Sequence, residues 1–252
     1  MLSASHITVR YGDREAVSDL SFTVSEGQWV MLIGPNGAGK TTLLKAIGRG
    51  VPCTGECRWE GEDLRRMAAG QVARRIGVLA QHHAVSCDYT VEEIVSLGRY
   101  AYRGGLFSGG DPDGEARIGQ ALALTGMEPF RHMPVRHLSG GEMQRVFLAQ
   151  VFAQDPRLLL LDEPANHLDL QYQQHIFGLI RGWLGGPGRA VLSVVHDLSL
   201  ARRFGTHGIL MDHGRCAAQG EIGAVMTPET LSGVYGMDVY AWMRELAAPW
   251  QA

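Results

Sequence analysis

Apolar and polar residues follow two different patterns along this chain, which predict strands in some segments and helices in others. Short runs rich in β-branched, aromatic or aliphatic residues, bounded by glycine or charged residues, are typical of strands. Such runs span residues 5–11, 20–24, 28–33, 76–80, 158–161, 190–195 and 207–211. Helical spacing of apolar residues follows several of them, at 40–48, 170–184 and 197–204. Strands that alternate with helices predict an α/β fold with a mainly parallel sheet covered on both faces.

The pattern between residues 88 and 155 is different, because helical periodicity continues there without an intervening strand. TVEEIVSLGRYAY, EARIGQALALTG and GEMQRVFLAQVFAQ are separated by Gly, Pro and Asp turns. We therefore expect a single domain over 1–252, in which an α/β core over 1–87 and 156–252 is interrupted by a helical lobe over 88–155.

Composition and charge narrow the class of protein. A hydrophobic content of 45% and a charged content of 19% are ordinary for a globular protein. The net charge of −3 gives no field that would attract nucleic acid, so no nucleic-acid partner is expected. The longest apolar runs have about five residues against the ~20 that a membrane helix needs, and MLSASHITVRYGD lacks the features of a signal peptide. We expect a cytoplasmic chain. If it works at a membrane, other chains have to bind it there.

Cysteines and acidic turns do not predict a structural metal or disulfide framework. The cysteines are too few and too irregularly spaced for disulfide pairing, at Cys53, Cys57, Cys87 and Cys216. Cys53 and Cys57 lack a matching Cys or His pair for zinc. The segment DPDG that begins at Asp111 resembles the start of a calcium loop, but the later ligands are missing, which predicts a simple turn.

The segment GPNGAGKTT at 34–42 fits the pattern G-x-x-x-x-G-K-[ST] between a predicted strand and a predicted helix. Gly34, Gly37 and Gly39 let the backbone curl so that successive N–H groups face one concavity at a helix N-terminus, which suits phosphate groups. Lys40 is one of only two lysines in the chain. Its compact ammonium can reach β- and γ-phosphates, whereas the planar fork of arginine is too large for such a cradle. We expect a nucleoside triphosphate site here.

A magnesium nucleotide also needs oxygen ligands for the metal and a base for the attacking water. Thr41 offers a hydroxyl to Mg²⁺. LLLLDEP at 158–164 predicts a buried strand that ends in Asp162 and Glu163, and adjacent residues on a strand point to opposite faces. We therefore expect Asp162 to hold Mg²⁺ through water and Glu163 to act as the general base.

HLSGGEMQR at 137–145 predicts a second helix start that faces an anion. Ser139 and Glu142 fit a capping box, which is a purely structural explanation. That explanation does not account for Gly140 and Gly141, which destabilise the first turn of a helix. Two glycines there permit close approach of an anion to the helix N-terminus. Since a triphosphate already occupies the first site, we infer that the second site serves a nucleotide held by another copy of the chain.

Taken in order, these motifs resemble those of the ATP-binding cassette (ABC) family over nearly the whole chain. The matching elements are Tyr11, GPNGAGKTT at 34–42, Gln81, LSGGE at 138–142, LLLLDEP at 158–164, Asp169 and His196. The resemblance implies a P-loop nucleotide-binding core, with a mainly parallel sheet and an antiparallel β subdomain. It implies an inserted α-helical subdomain that carries LSGGE, and ATP and Mg²⁺ as cofactors.

The resemblance also implies a role for each site residue. Tyr11 stacks on adenine, Gln81 contacts Mg²⁺ or water, and His196 contacts the γ-phosphate from the carboxyl end of a strand. ATP binds to the whole loop, Gly34, Pro35, Asn36, Gly37, Ala38, Gly39, Lys40, Thr41 and Thr42. In a head-to-tail dimer of two copies, the residues that reach the partner's ATP are Ser139, Gly140, Gly141, Glu142 and Asp169. The catalytic set is Glu163, His196, Gln81 and Lys40, whereas ordinary surface positions are expected for His82, His83 and His167.

Three classes of protein carry such a phosphate loop, and the sequence favours one of them. LSGGE excludes an unrelated phosphate-loop enzyme, and guanine recognition is excluded because no lysine follows an asparagine. A soluble ABC ATPase that acts on ribosomes or DNA generally has two fused cassettes or a long coiled-coil insertion, and this chain has one cassette without sustained heptads. The ATPase subunit of a membrane transporter is the favoured interpretation, with a soluble non-transport ABC ATPase as the alternative.

The segments VEEIVSLGRY at 91–100, ANHLDL at 165–170 and ETLSGVYGMDV at 229–239 resemble ATPase subunits of importers for iron–siderophore, haem and vitamin B12 (cobalamin). This resemblance implies two ATPase chains bound to two transmembrane permease subunits on the inner face of the membrane, with an extracytoplasmic substrate-binding protein. The sequence YAY after Arg99 departs from the proline and histidine of many relatives. The cargo therefore stays open, with molybdate-type oxyanions as an alternative.

Overall fold

The computed structural model describes residues 1–81, 88–103, 110–166 and 168–250, and its mixture of strands and helices confirms the α/β fold. The strands of the described residues are β1 (Leu2–Tyr11), β2 (Arg14–Val24), β3 (Trp29–Ile33), β4 (Thr54–Trp59), β5 (Glu62–Asp63), β6 (Ile76–Leu79), β7 (Leu158–Asp162), β8 (Ala190–Val194), β9 (His207–Asp212) and β10 (Arg215–Glu221). The α-helices are α1 (Lys40–Ile47), α2 (Ala69–Ala73), α3 (Val91–Ser96), α4 (Gly114–Leu124), α5 (Gly140–Ala153), α6 (Leu170–Leu184), α7 (Leu198–Phe204), α8 (Ile222–Val225), α9 (Pro228–Tyr235) and α10 (Val239–Ala247). Short 3₁₀ turns lie at Leu97–Tyr102, Glu128–Phe130, Val135–His137 and Ala248–Trp250.

The chain forms two compact units, the first of which comprises residues 1–24, 28–61 and 194–252. In this unit β1 pairs antiparallel with both β2 and β4. Strand β3 pairs parallel with β9, and β9 pairs antiparallel with β10. All five residues of β3 are buried, as expected for an uninterrupted apolar strand covered on both faces. The loop after β3 is therefore anchored to a rigid strand.

The second unit comprises residues 25–27 and 62–193. Strands β6 and β7 pair in parallel, with Leu79 opposite Leu161. Strand β7 is buried throughout, and helix α5 is buried on all sides from Val146 to Ala149. The helical lobe over 88–155 proposed from the sequence stays a prediction.

A buried arginine joins the segment after α3 to the end of α5 within the second unit. Arg99 is 4% exposed, and its guanidinium donates to the two carboxylate oxygens of Asp111 at 2.7 and 2.8 Å. It also donates to the carbonyl oxygen of Ala153 at 3.0 Å and lies 3.7 Å from the centre of the Tyr102 ring. The carboxylate of Asp111 is thus a structural partner of Arg99.

The cysteines and the lengths of the helices can be compared with what the composition predicts. Among the described residues, Cys53, Cys57 and Cys216 form no disulfide. Within the same ranges no helix has both the length and the apolar content that crossing a bilayer requires. Predictions for His82, His83, His167 and Cys87 lie outside the described residues.

Candidate nucleotide site

The predicted phosphate loop connects β3 to α1 in the first unit, and its shape depends on glycine. Gly34, Gly37 and Gly39 have φ of 140°, 81° and 96°, a region that side chains disfavour. A Cβ on Gly34 would lie 2.1 Å from the carbonyl oxygen of Met211, and one on Gly39 would lie 2.3 Å from that of Ala16. Only glycine fits these two positions, so the curl inferred from the sequence has a steric cause.

The side chain of Lys40 lies over this loop. It is 5% exposed, and its Nζ donates to the carbonyl oxygens of Gly34 at 2.7 Å and Pro35 at 2.8 Å. An ammonium held on a flexible stem can exchange these oxygens for phosphate oxygens without moving the backbone. The loop therefore holds a positive charge where the sequence places the β- and γ-phosphates.

The remaining loop residues differ in exposure. Asn36 and Gly37 are exposed at its tip, whereas Ala38 is buried. Thr41 and Thr42 lie half-buried in the first turn of α1. A hydroxyl at that helix N-terminus is a hard oxygen donor of the kind that Mg²⁺ prefers.

Two further predicted residues lie in the first unit. Tyr11 ends β1 opposite Arg14 and is 50% exposed, so a large part of the residue is open to solvent. His196 is exposed in the turn that precedes α7. The N–H of Val195 donates to the carbonyl oxygen of Leu32 at 3.2 Å, so His196 and the phosphate loop leave the sheet at the same edge.

The acidic pair lies at the end of β7 in the second unit. Asp162 is the last residue of the strand and is 1% exposed. The expectation that Glu163 continues the strand is wrong, because its φ is 53°. The side chains therefore separate because the backbone turns at Glu163, not because of strand alternation. The side-chain amide of Asn166 donates to the Glu163 carboxylate, and its main-chain N–H donates to the carbonyl oxygen of Glu163 at 3.2 Å.

Gln81 also lies at this edge of the second unit. It is exposed two residues beyond Leu79 in β6, and Glu163 is two residues beyond Leu161 in β7. Since Leu79 and Leu161 are partners in a parallel pair, both side chains leave the sheet at its carboxyl edge, where ligands bind in α/β folds.

The predicted capping box is present at the start of α5. The hydroxyl of Ser139 accepts from the Glu142 N–H at 3.3 Å, and the Ser139 N–H and hydroxyl each donate to the Glu142 carboxylate at 2.8 Å. These donors hold the pKa of the Glu142 carboxyl below its ordinary value. The structural explanation for Ser139 and Glu142 is thereby confirmed.

The two glycines after Ser139 have no such explanation among the residues that the structure describes. Among those residues a Cβ on Gly140 would meet nothing within 4 Å, and one on Gly141 would lie 3.5 Å from Leu168, an ordinary contact. The described part of the chain thus leaves room for a side chain at both positions. Glycine here is consistent with close approach of a group from outside the chain.

Asp169 lies in the segment that follows Glu163. It is exposed and caps α6, accepting from the Tyr172 N–H at 2.9 Å. Gln144 on α5 donates to the carbonyl oxygen of Pro164 at 2.9 Å, which joins α5 to the segment that contains Glu163 and Asp169. The sequence reasoning missed the contacts of Gln144 and Asn166. Asn166 lies in ANHLDL, whose likeness to a known motif was the available signal, whereas Gln144 had none.

Comparisons with known proteins agree with these features. The profile of a family described as ABC transporter matches residues 17–166. The chain is 37% identical over 245 residues to the uncharacterized ABC transporter ATP-binding protein YvrA of Bacillus subtilis (strain 168), covering 97% of this chain and 55% of YvrA, so it spans about half the length of that relative. It is 37% identical over 238 residues to the iron(3+)-hydroxamate import ATP-binding protein FhuC of the same organism, covering 94% of this chain and 88% of FhuC.

A solved structure of an ATP-binding cassette shares the fold. It is described as the dimeric post-hydrolysis state of the ATP-binding cassette MJ0796 bound to ADP and Pi, and its TM-score is 0.75 at 27% identity. The match covers 88% of this chain and 99% of that chain.

Proposed function

Because the chain belongs to the ABC transporter family, whose ATP-binding subunits are ATPases, we propose that it powers a membrane importer by binding and hydrolysing ATP. The role in import is supported by the similarity to FhuC across nearly the whole of both chains. The observation that carries ATP binding is the glycine-dependent loop that holds Lys40. We propose an iron–siderophore, haem or cobalamin as cargo.

In this proposal the phosphate loop holds the triphosphate of ATP. The N–H groups of the curled loop and the first turn of α1 face the phosphates. Lys40 transfers its donors from the carbonyl oxygens of Gly34 and Pro35 to the β- and γ-phosphate oxygens. Tyr11 stacks on the adenine ring with its exposed face.

The oxygen donors of the proposed site fit a hard divalent cation. Thr41 supplies a hydroxyl, Asp162 supplies a buried carboxylate and Gln81 supplies an amide oxygen. Mg²⁺ bound there would neutralise charge on the phosphates as the terminal bond breaks. Glu163 accepts a proton from the attacking water, and His196 orients the γ-phosphate.

The second half of each site comes from another copy of the chain. Ser139, Gly140, Gly141, Glu142 and Asp169 belong to the surface proposed to close over the partner's ATP. The unexplained glycines at the start of α5 support this arrangement, and the dimer of cassette MJ0796 provides a precedent. ATP would close two copies head to tail, and hydrolysis would reopen the dimer.

The proposal includes other partners. Two copies would bind two transmembrane permease subunits on the cytoplasmic face of a membrane, with a substrate-binding protein outside. The helical segments near Gln81 would transmit closure to the permease. No part of the proposed ATP site contacts cargo, so the cargo assignment depends on the relatives alone.

The experiment is affinity purification of the tagged full-length chain from detergent-solubilised membranes, followed by mass spectrometry and ATPase assays on the purified complex. We expect a many-helix membrane protein to co-purify, and ATP hydrolysis to rise when that protein is reconstituted with its binding protein and a ferric siderophore. Co-purification with ribosomes would overturn the transport proposal. Stimulation by molybdate instead of a ferric siderophore, haem or cobalamin would overturn the cargo.

A further inference from the structure

The turn between β9 and β10 contacts the phosphate loop within the first unit. The N–H of Gly214 in this turn donates to the carbonyl oxygen of Ala38 at 3.1 Å. The carbonyl oxygen of Gly214 accepts from the N–H of Ser18 in β2 at 2.8 Å. One residue outside the loop therefore links the C-terminal end of the loop to the neighbouring sheet.

Steric constraints make Gly214 difficult to replace. Its φ is +79°, which residues with a side chain rarely adopt. A Cβ would lie 2.9 Å from the carbonyl oxygen and 3.2 Å from the carbonyl carbon of Ala16. Both obstacles are main-chain atoms of β2, so a side chain at 214 would push the turn away from β2 and disturb its hydrogen bond to Ala38 in the loop.

The other end of the loop contacts the same C-terminal part of the unit. A Cβ on Gly34 would lie 2.1 Å from the carbonyl oxygen of Met211 in β9, and a Cβ on Gly39 would lie 3.4 Å from the Cε of Met211. The carbonyl of Gly34 accepts from Lys40 at 2.7 Å.

These contacts bind the loop at both ends. Residues that point at phosphates must be held in place before the ligand arrives if their donors are to contribute fully to affinity. Gly214 does this through its bond to the main chain of Ala38, without belonging to the loop itself.

We propose that Gly214 is a positioning residue that holds the phosphate loop in the curl required for nucleotide binding. The proposal rests on the assignment of residues 34–42 as the nucleotide site. It adds a role for the region after β9, which carries the ETLSGVYGMDV segment and which the proposed ATPase chemistry does not use.

The test replaces Gly214 with Ala and measures the Kd of a fluorescent ATP analogue by titration, together with the melting temperature. The matched control is Gly61→Ala, because Gly61 has φ of +89° and a Cβ there would meet nothing within 4 Å. Both variants carry the strain of a left-handed residue, but only Gly214→Ala pushes on the main chain of Ala16 and so shifts the turn that is bonded to the loop. We expect an increase in Kd of about tenfold for Gly214→Ala and little change for Gly61→Ala.

Gly214→Ala should raise the KM for ATP and leave kcat nearly intact at saturating ATP, because the proposed base and metal ligands are unchanged. Equal Kd values for Gly214→Ala and Gly61→Ala would overturn the positioning role. If the wild-type chain fails to bind the analogue, or if Lys40→Ala binds it normally, the nucleotide assignment itself fails. Those outcomes are distinguishable from failure of the positioning role alone.

Discussion

Gly98 rests on the main chain of Gln150, since a Cβ on Gly98 would lie 2.1 Å from the carbonyl oxygen of Gln150. The turn after α3 and the last turns of α5 are therefore in direct backbone contact. We expect Gly98→Ala to lower the free energy of unfolding by about 1–3 kcal/mol, the usual effect of forcing a group into a filled space.

Urea unfolding followed by circular dichroism measures this change. The control is Gly178→Ala in α6, where a Cβ would meet nothing within 4 Å. Alanine in an open helical position should raise stability by up to about 1 kcal/mol. Similar effects of the two substitutions would contradict the close contact at Gly98.

The ion pair between Arg99 and Asp111 should contribute to stability in a pH-dependent way. Removal of one partner leaves a buried charge, so Asp111→Asn should lower the free energy of unfolding by about 3 kcal/mol at neutral pH. The hydrogen bonds from Arg99 hold the pKa of the Asp111 carboxyl below its ordinary value. A lowered pKa in the folded state stabilises the fold above the unfolded pKa of about 4, and this stabilisation is lost as pH falls through the folded pKa.

The difference between wild type and Asp111→Asn should therefore shrink as the pH is lowered from about 7 to about 3. Urea unfolding at several pH values measures it. Glu56→Gln provides the control, because Glu56 pairs with Arg58 at 2.9 Å on an exposed surface. A constant difference across this pH range would mean that the Asp111 carboxylate is not the group that titrates.

The two lysines of the chain offer a direct comparison. Lys40→Ala should raise the Kd for ATP by at least about tenfold, because the ammonium over the loop is lost. Lys45→Ala removes an exposed lysine from the same helix and should bind ATP like wild type. Isothermal titration calorimetry distinguishes them, and equal affinities would remove Lys40 from the site.

Replacement of Glu163 tests the proposed base. Glu163→Gln keeps the length of the side chain and an oxygen that can accept the hydrogen bond from Asn166. We expect ATP binding to persist and turnover to fall by about 10²- to 10⁴-fold, as loss of a general base predicts. Phosphate-release assays measure turnover, and gel filtration with ATP should detect a trapped dimer. Wild-type turnover in this variant would show that another group activates the water.

The second helix start can be tested through two capping boxes of the same type. Ser139→Arg places a large side chain where the partner's ATP is proposed to bind. Thr90→Arg changes the N-cap of α3, which has the same reciprocal bonds with Glu93. Both variants lose a cap that contributes about 1 kcal/mol to stability, but only Ser139→Arg should prevent ATP-dependent dimerisation. Light scattering with ATP measures assembly, and a dimer formed by Ser139→Arg would contradict the opposed-site arrangement.

The strands and helices around the phosphate loop could be predicted because their patterns are local. WVMLI became β3, and the helix expected at 40–48 is α1 with Gly48 at its C-cap. The capping box at Ser139 could also be predicted, since Ser139 and Glu142 are three residues apart. Short-range chemistry sets each of these features.

Other features were missed, either because they depend on distant residues or because a local signal was overlooked. Strand β4 was missed because TGECRW has few apolar residues, and it is held by β1, about fifty residues earlier. The left-handed backbone of Glu163 opposes the extended conformation that Pro164 normally favours in the preceding residue. Helix α9 was also missed, although Thr227 as N-cap and Pro228 in the first turn are a readable start signal.

Lys40 already has two oxygen partners in its own loop, which affects the energetics of nucleotide binding. In the proposed site, the ammonium would exchange these neutral peptide oxygens for charged phosphate oxygens when ATP binds, and few water molecules would have to leave it. Calorimetry on the isolated subunit should therefore give a modest binding enthalpy from this residue, while the selectivity for triphosphate over uncharged ligands stays high. An ammonium that backbone oxygens already bind favours discrimination between ligands more than tight binding of any one of them. This would suit the proposed ATPase, which has to release its product in every cycle.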